Sequence, residues 1–173
     1  MPLSPYAVSK LAAETYALAY ARCYGMSTLP FRFFNVFGPL QVAGHAYAAV
    51  VPAFVSSALA GEPVEVHGDG LQTRDFTYVG TVVDILSRAA VDRVSSDTPV
   101  NLAFGSRTSL LELIGVLGDV LGHPVAANHV APRAGDVRDS QADNSRLQAL
   151  FPGVEPVSLR DGLEATVAWM SKG

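Results

Sequence analysis

The sequence contains little cysteine and few charged residues, and both shortages narrow the class of protein. Cys23 is the only cysteine among 173 residues, which excludes a disulfide framework and a cysteine-based metal site and fits a reducing cytoplasm. Charged residues make up 16% of the chain and the net charge is −4, so neither nucleic acid nor an anionic membrane is an expected partner. The length and the 49% of apolar residues are enough for one domain with a real core.

Motifs for dinucleotides, metals and membranes are also absent from the sequence. No Gly-x-Gly-x-x-Gly occurs, because Gly68 and Gly70 are followed by Thr73 where the third glycine would stand. The four histidines lack metal-ligand spacing, so no metal site is expected. The first residues form neither a signal peptide nor a membrane span, and no strand precedes the first predicted helix.

Helices and strands alternate along the sequence, which predicts an α/β fold. Ser4 and Pro5 suit the cap and first turn of a helix that reaches Tyr24 and stops at Gly25. This helix is apolar around much of its circumference, so we expect it to be buried on more than one side. The near-continuous apolar run 28–36 predicts one strand covered on both faces, as in a parallel sheet. Further helices are predicted at 51–60, 81–94, 145–150 and 159–171 and, after a capping box of Ser109 and Glu112, up to 121, with strands at 64–66, 76–79, 100–103 and 125–130.

The first helix carries a candidate acid–base pair. Tyr6 and Lys10 are one turn apart and therefore lie on the same face of a helix that begins at Pro5. A phenol is a poor acid or base at neutral pH, but a nearby ammonium group favours its phenolate form. The alternative interpretation is a half-buried aromatic residue beside a solvated lysine, because this spacing is common by chance.

Polar residues at strand ends and in loops are candidates for ligand binding. Asn35 stands at the end of an apolar predicted strand, and ligands of open α/β sheets bind beyond such ends; an Asx turn is its alternative role. Arg74 and Arg133 lie in loop segments, and two converging guanidinium groups can hold a diphosphate. The alternative is a pair of structural salt bridges to the neighbouring Asp75 and Asp136.

Four segments together resemble a known family, and each is weakly specific alone. They are 4–10 (SPYAVSK), 32–39 (RFFNVFGP), 67–76 (HGDGLQTRDF) and 133–136 (RAGD). In this order and spacing they resemble the extended short-chain dehydrogenases/reductases, within them the nucleotide-sugar epimerase/dehydratase group, and nearest the UDP-glucose 4-epimerase-like enzymes. The resemblance runs over the whole chain but covers only the family's C-terminal half. The family's N-terminal βαβ units, with the glycine-rich NAD loop and a catalytic Ser/Thr, are not among these residues.

The resemblance implies an oxidation–reduction cycle on a sugar carbon with NAD as the cofactor. Tyr6 would be the general base, while Lys10 would favour its phenolate and hold the nicotinamide ribose. Phe33 and Phe34 would lie near the nicotinamide and the sugar. The nucleotide sugar, expected to be a UDP-sugar, would be bound by Asn35, Arg74 and Arg133 at the diphosphate, Asp136 at the ribose and the segment around Val66 at the base.

The implied fold is the C-terminal portion of a Rossmann-type parallel sheet plus a small mixed α/β substrate-binding subdomain. Residues 1–40 would form the last helix and strand of a truncated NAD-binding Rossmann domain. Residues 41–173 would be mainly the nucleotide-sugar-binding subdomain, with about 76–104 returning to the Rossmann part. A homodimer through the 5–24 helix is expected, and one face of that helix would be exposed without the missing strands.

The expected function is the substrate-binding half of an NAD-dependent nucleotide-sugar epimerase that is inactive as an isolated chain. One alternative is a dehydratase or decarboxylase of the same superfamily. Another, of a different class, is a non-catalytic nucleotide-sugar-binding or assembly module.

Overall fold

The structure, a computed structural model, describes residues 4–42, 49–133 and 137–172. Its helices are α1 (Pro5–Tyr24), α2 (Val50–Leu59), α3 (Val79–Val91), α4 (Leu110–Leu121), α5 (Ser145–Leu150) and α6 (Leu159–Met170). Its strands are β1 (Phe31–Phe33), β2 (Asn35–Phe37), β3 (Val64–His67), β4 (Thr73–Arg74), β5 (Phe76–Tyr78), β6 (Val100–Leu102), β7 (Thr108–Ser109) and β8 (Ala127–Val130).

Helix α1 has the predicted ends but not the predicted burial. The side chain of Ser4 accepts a hydrogen bond from the backbone N–H of Ala7, and Gly25 closes the helix with φ +66°. Glycine suits this left-handed position because it has no Cβ to clash. No residue of α1 is buried within this chain. The helix is held to β1 by Arg32, whose guanidinium donates to both carboxylate oxygens of Glu14 at 2.6 and 2.7 Å.

The single strand predicted over 28–36 is two short strands with different partners. Strand β1 pairs in parallel with β6, whereas β2 pairs in parallel with β5. Phe34 lies between β1 and β2 and belongs to neither strand. An apolar run indicates that a segment is buried but not which strand it pairs with. The sequence therefore could not predict that the strand is interrupted.

Two further pairings complete the described strands. Strands β3 and β8 are parallel, and β4 and β7 form an antiparallel pair that the sequence did not predict. Three of these four pairings are parallel, in agreement with the predicted α/β class. In a parallel pair both strands end at the same edge, so the segments that follow β3 and β8 emerge side by side.

The buried apolar residues form two clusters. The larger cluster lies between α2, β3, α4 and α6 and contains the fully buried side chains of Val55, Leu117 and Leu163. The smaller one joins α3, β6 and α5 through Ile85 and Leu102. None of the helices in the described parts of the chain combines the length and hydropathy needed to cross a bilayer.

Candidate functional site

Arg74 and Arg133 line one cavity of about 250 Å³ at the ends of β3 and β8. Arg74 comes from β4, and Arg133 follows β8. The β3–β8 pairing places the segment that contains Arg133 beside the segment that leads from β3 to Arg74. At the end of this pairing the Gly68 N–H donates to the Val130 carbonyl at 2.9 Å. The other residues that line the cavity are Val50, Ala53, Phe54, Ser57, Glu65, His67, Gln72 and Leu110. The structure therefore brings the two predicted guanidinium groups to a shared cavity.

Hydrogen bonds fix both the side chain of Arg74 and the backbone around it. The Nη1 atom of Arg74 donates to the carbonyl oxygen of Thr73 at 2.9 Å and to that of Arg138 at 3.4 Å. Thr73 forms two backbone hydrogen bonds to the segment that follows Arg133. Its N–H donates to the Arg138 carbonyl, and its carbonyl accepts from the Ser140 N–H. The β4 strand and the segment at 138–140 thus hold each other in place beside the cavity.

Asp75 joins Asn35 to the same region. The Asp75 carboxylate is fully buried and accepts from the N–H of Gly105 at 2.8 Å and the hydroxyl of Ser106 at 3.0 Å. It also accepts, at longer distances, from the N–H groups of Phe104 and Ala142. Its backbone carbonyl accepts from both the N–H and the side-chain amide of Asn35, each at 3.2 Å. Sequence reasoning offered Asp75 only as an ion-pair partner and missed this organising role, because the donors come from distant parts of the chain.

A second cavity of about 340 Å³ is lined by Arg133 and His67 as well. Across it, the Arg138 guanidinium donates to both oxygens of Asp69, at 2.9 and 3.3 Å. This pairing lowers the pKa of the Asp69 carboxyl and raises that of Arg138. The Thr73 hydroxyl, 2.7 Å from Asp139, lowers the pKa of that carboxyl in the same way, with help from the guanidinium of Arg107. The acidic groups beside this cavity therefore stay ionised and paired at neutral pH.

Tyr6 and Lys10 lie close together but do not line the cavity of Arg74 and Arg133, here called the arginine cavity. The Lys10 Nζ atom is 5.3 Å from the centroid of the Tyr6 ring, which is a cation–π distance. The Tyr6 side chain is 71% exposed, and Phe33 on β1 is 53% exposed. Both side chains are therefore largely exposed in this chain. The described residues that line the arginine cavity do not include them.

The remaining predicted residues have different placements. Phe34 is half-buried at the break between β1 and β2. The Val66 side chain is fully buried in the larger cluster, while its strand neighbours Glu65 and His67 line the cavity, because alternate side chains of a strand face opposite sides. Asp136 lies outside the described residues. The sequence indicated structural or solvent-exposed histidines rather than metal ligands, and it gave no sign that His67 lines the cavity.

The chain is thus a mixed α/β protein with two arginines in a cavity at the ends of parallel strands. Such a cavity is suited to a phosphorylated ligand. Residues 1–103 match the family model described as NAD dependent epimerase/dehydratase family. Because the match covers more than half of the chain, the chain belongs to this family.

Three similar proteins illustrate the relationship. The chain is 35% identical, over 96% of its length, to the UDP-glucose 4-epimerase of Mycolicibacterium smegmatis. It superposes with a TM-score of 0.92 and 33% identity, over 99% of its length, on the UDP-N-acetylglucosamine 4-epimerase of Methanobrevibacter ruminantium M1 in complex with UDP-N-acetylmuramic acid. The UDP-glucuronic acid 4-epimerase of Bacillus cereus, solved with UDP-glucuronic acid and NAD, gives a TM-score of 0.84 at 29% identity over 99% of the chain.

The relatives include nucleotide-sugar epimerases and dehydratases. The chain spans about half the length of the curated relatives it matches, 52% in the case of the mycobacterial enzyme. The two superposed structures are covered to 55% and 54%.

Proposed function

We propose that this chain forms the nucleotide-sugar-binding part of an NAD-dependent nucleotide-sugar epimerase, with a UDP-sugar as its ligand. The observation that carries the proposal is the shared cavity of Arg74 and Arg133. Two guanidinium groups provide several N–H donors in fixed planes, which match the oxygens of a diphosphate. The alternative of two isolated structural salt bridges does not account for their convergence on one cavity.

The neighbouring groups support a diphosphate at this position. Arg133 also borders the second cavity, so a ligand held by it can extend to either side. Asn35 donates to the backbone carbonyl of Asp75, which follows Arg74 directly in the chain, and this supports a role of Asn35 on the same ligand. The nucleoside and the sugar would be the two parts of the ligand that extend from the diphosphate. We propose Phe34, Asp136 and the segment around Val66 as further contacts of that ligand.

The exposed pair Tyr6 and Lys10 suits the nicotinamide end of NAD. A phenol and an ammonium group are suitable partners for ribose hydroxyls, and Phe33 on β1 offers an exposed aromatic face. When bound, NAD supplies the hydride acceptor for oxidation of a sugar carbon. Tyr6 would then hold the proton taken from the sugar hydroxyl, and Lys10 would stabilise the phenolate. The glycine-rich loop for the dinucleotide is not among these 173 residues, so we expect no turnover by this chain alone.

We also propose that the apolar face of α1 is covered by a second copy of the chain. Val8, Leu11 and Tyr16 are exposed there and border a surface groove of about 400 Å³. An exposed apolar patch of this kind is typical of an interface. The single cysteine, Cys23, is exposed on the same helix and is compatible with a reducing cytoplasm.

Binding of UDP-glucose, measured by titration calorimetry, tests the proposal. The chain should bind UDP-glucose, and Arg133→Ala should weaken binding by about 1.5–3 kcal/mol, because a charge-assisted hydrogen bond to a phosphate is lost. Arg88→Ala is the matched control, since Arg88 lies on α3 in an exposed pair with Asp84. No binding by the wild-type chain, or equal weakening by both variants, would contradict the proposal.

A second measurement addresses the catalytic part. With NAD added, the chain should bind UDP-glucose without converting it to its C4 epimer. Turnover by the chain alone would show that these residues suffice for NAD binding, contrary to the proposal. Binding of UDP-glucose by a longer protein that contains this chain and a dinucleotide loop, but without turnover, would favour a non-catalytic binding module.

A further inference from the structure

His67 stands where β3 ends and lines both cavities beside Arg133. Its Nδ1 atom is 3.0 Å from the carbonyl oxygen of Ala131, in the segment that leads to Arg133. A carbonyl oxygen can only accept a hydrogen bond, so Nδ1 must carry the hydrogen. The neutral form of this ring therefore has its lone pair on Nε2.

The environment of Nε2 suits a proton. This atom is buried from solvent, has no hydrogen-bond partner among the described residues, and lies 3.0 Å from Oε1 of Glu65. In the neutral ring, the lone pair of Nε2 and the carboxylate oxygen are both acceptors and cannot share a hydrogen bond. A proton on Nε2 would turn this unfavourable contact into an ion pair between the imidazolium and Glu65.

The charges around His67 act in opposite directions in the free chain. Glu65, on the same strand, carries a negative charge beside Nε2, whereas Arg74 and Arg133 bring two positive charges to the cavity that His67 also lines. Across the second cavity, Asp69 and Arg138 are paired with each other and largely cancel.

The other histidine near this edge is bonded elsewhere. His129, on the neighbouring β8, has its Nδ1 atom 2.8 Å from the carbonyl oxygen of Gly68. It does not line either cavity within the described residues.

We infer that His67 takes up a proton from solvent at Nε2 when a nucleotide-diphosphate sugar binds. A diphosphate brings two negative charges into the cavity and partly neutralises the two guanidinium groups, so the balance shifts towards the imidazolium. His67 is then a third cationic group of the site. The inference rests on the proposed function, because it requires the diphosphate to lie in the cavity of Arg74 and Arg133.

Proton uptake is measured by titrating the chain with UDP-glucose at about pH 7 in buffers of different ionisation enthalpy. UDP-glucose is suitable because its diphosphate is esterified at both ends and does not itself titrate near neutrality. The observed heat should depend on the buffer, with uptake of up to about one proton per ligand. The dissociation constant should rise about threefold to tenfold from about pH 6 to pH 8, the range in which a histidine loses its proton.

His67→Asn and His129→Asn form a matched pair of variants. Asparagine keeps a side-chain N–H near the position of Nδ1 for the Ala131 carbonyl but cannot titrate. The His67 variant should still bind UDP-glucose, more weakly at about pH 6 and without dependence on the buffer. The His129 variant should retain the proton uptake of the wild-type chain. Glu65→Gln should reduce the uptake, because it removes the carboxylate beside Nε2.

The outcomes separate this inference from the proposed function. Binding of UDP-glucose that depends on Arg133 but shows no buffer dependence would overturn the inference and leave the function intact. Loss of proton uptake in His129→Asn instead of His67→Asn would also overturn it. If the wild-type chain does not bind UDP-glucose at all, the proposed function fails and the inference fails with it.

Discussion

Helices α1 and α4 both have well-formed ends, yet they are held in the protein in different ways. Ser4 caps α1, and a capping box of Ser109 and Glu112 opens α4. Helix α4 then buries five of its residues, four of them in the larger apolar cluster, whereas α1 buries none. The comparison shows that caps determine where a helix begins and ends, while packing determines how firmly it is held.

The same contrast separates the two parts of the candidate site. Arg74 and Arg133 lie beside β3, β8 and α2, which belong to the packed part of the chain. Tyr6 and Lys10 lie on α1, which forms the Glu14–Arg32 ion pair but has no buried residue of its own. We therefore expect the diphosphate part of the site to be formed by this chain itself. The position of the Tyr6–Lys10 pair should depend on what covers α1.

The largest difference between the two helices should appear when a leucine is shortened in each. Leu117 on α4 is fully buried, and Leu117→Ala should lower the free energy of unfolding by about 3 kcal/mol through lost burial and a residual cavity. Leu11 on α1 is 46% exposed in the single chain, so Leu11→Ala should change it by less than about 0.5 kcal/mol at protein concentrations low enough to dissociate the proposed dimer. Urea unfolding followed by circular dichroism measures both. Equal losses would show that α1 is buried in solution, as a dimer would bury it.

A smaller but still large effect is expected for the buried carboxylate of Asp75. In Asp75→Asn, an amide N–H₂ would face backbone N–H donors, and about 2–3 kcal/mol of stability should be lost because a charged acceptor is removed from buried donors. Asp84→Asn is the matched control, since Asp84 forms an exposed pair with Arg88 on α3, and it should cost less than about 0.5 kcal/mol. Similar small losses for both would contradict the organising role of Asp75.

The sequence predicted well those features that depend on neighbouring residues. The ends of α1 and the capping box of α4 were predicted correctly, because a cap is formed within a few residues of the helix it closes. Features that depend on distant residues were predicted less well. The antiparallel pairing of Thr73–Arg74 with Thr108–Ser109 was missed, and the strand at 28–36 was wrongly predicted to be continuous.

The candidate site shows the same limit. The convergence of Arg74 and Arg133 was a hypothesis from residue type and family resemblance, and the structure places both at one cavity. The hydrogen bonds of Asp75 and the contact of His67 with Ala131 join segments tens of residues apart in the chain. No periodicity or spacing reports such contacts, so they required the structure.

The smallest effect, and the most direct test of how α1 is held, concerns Glu14. The hydrogen bonds from Arg32 lower the pKa of the Glu14 carboxyl in the folded chain. A carboxyl with a depressed folded pKa contributes stability above its unfolded pKa and loses it as the pH falls through the folded value. The ion pair should therefore hold α1 at neutral pH and release it at acid pH, below about pH 4.

Glu14→Gln removes this ion pair with little change of shape. Hydrogen exchange of the α1 amides should show protection lower by about 0.5–1 kcal/mol at pH 7, because a bidentate pair on the surface contributes about this much. The difference from the wild-type chain should shrink as the pH falls and disappear below the lowered folded pKa of Glu14, where the wild-type carboxyl is protonated too. Glu164→Gln, in an exposed pair with Arg160 on α6, should leave α1 unchanged. If Glu14→Gln leaves α1 equally protected at pH 7, contacts other than this ion pair hold the helix, and the contrast with α4 is one of degree.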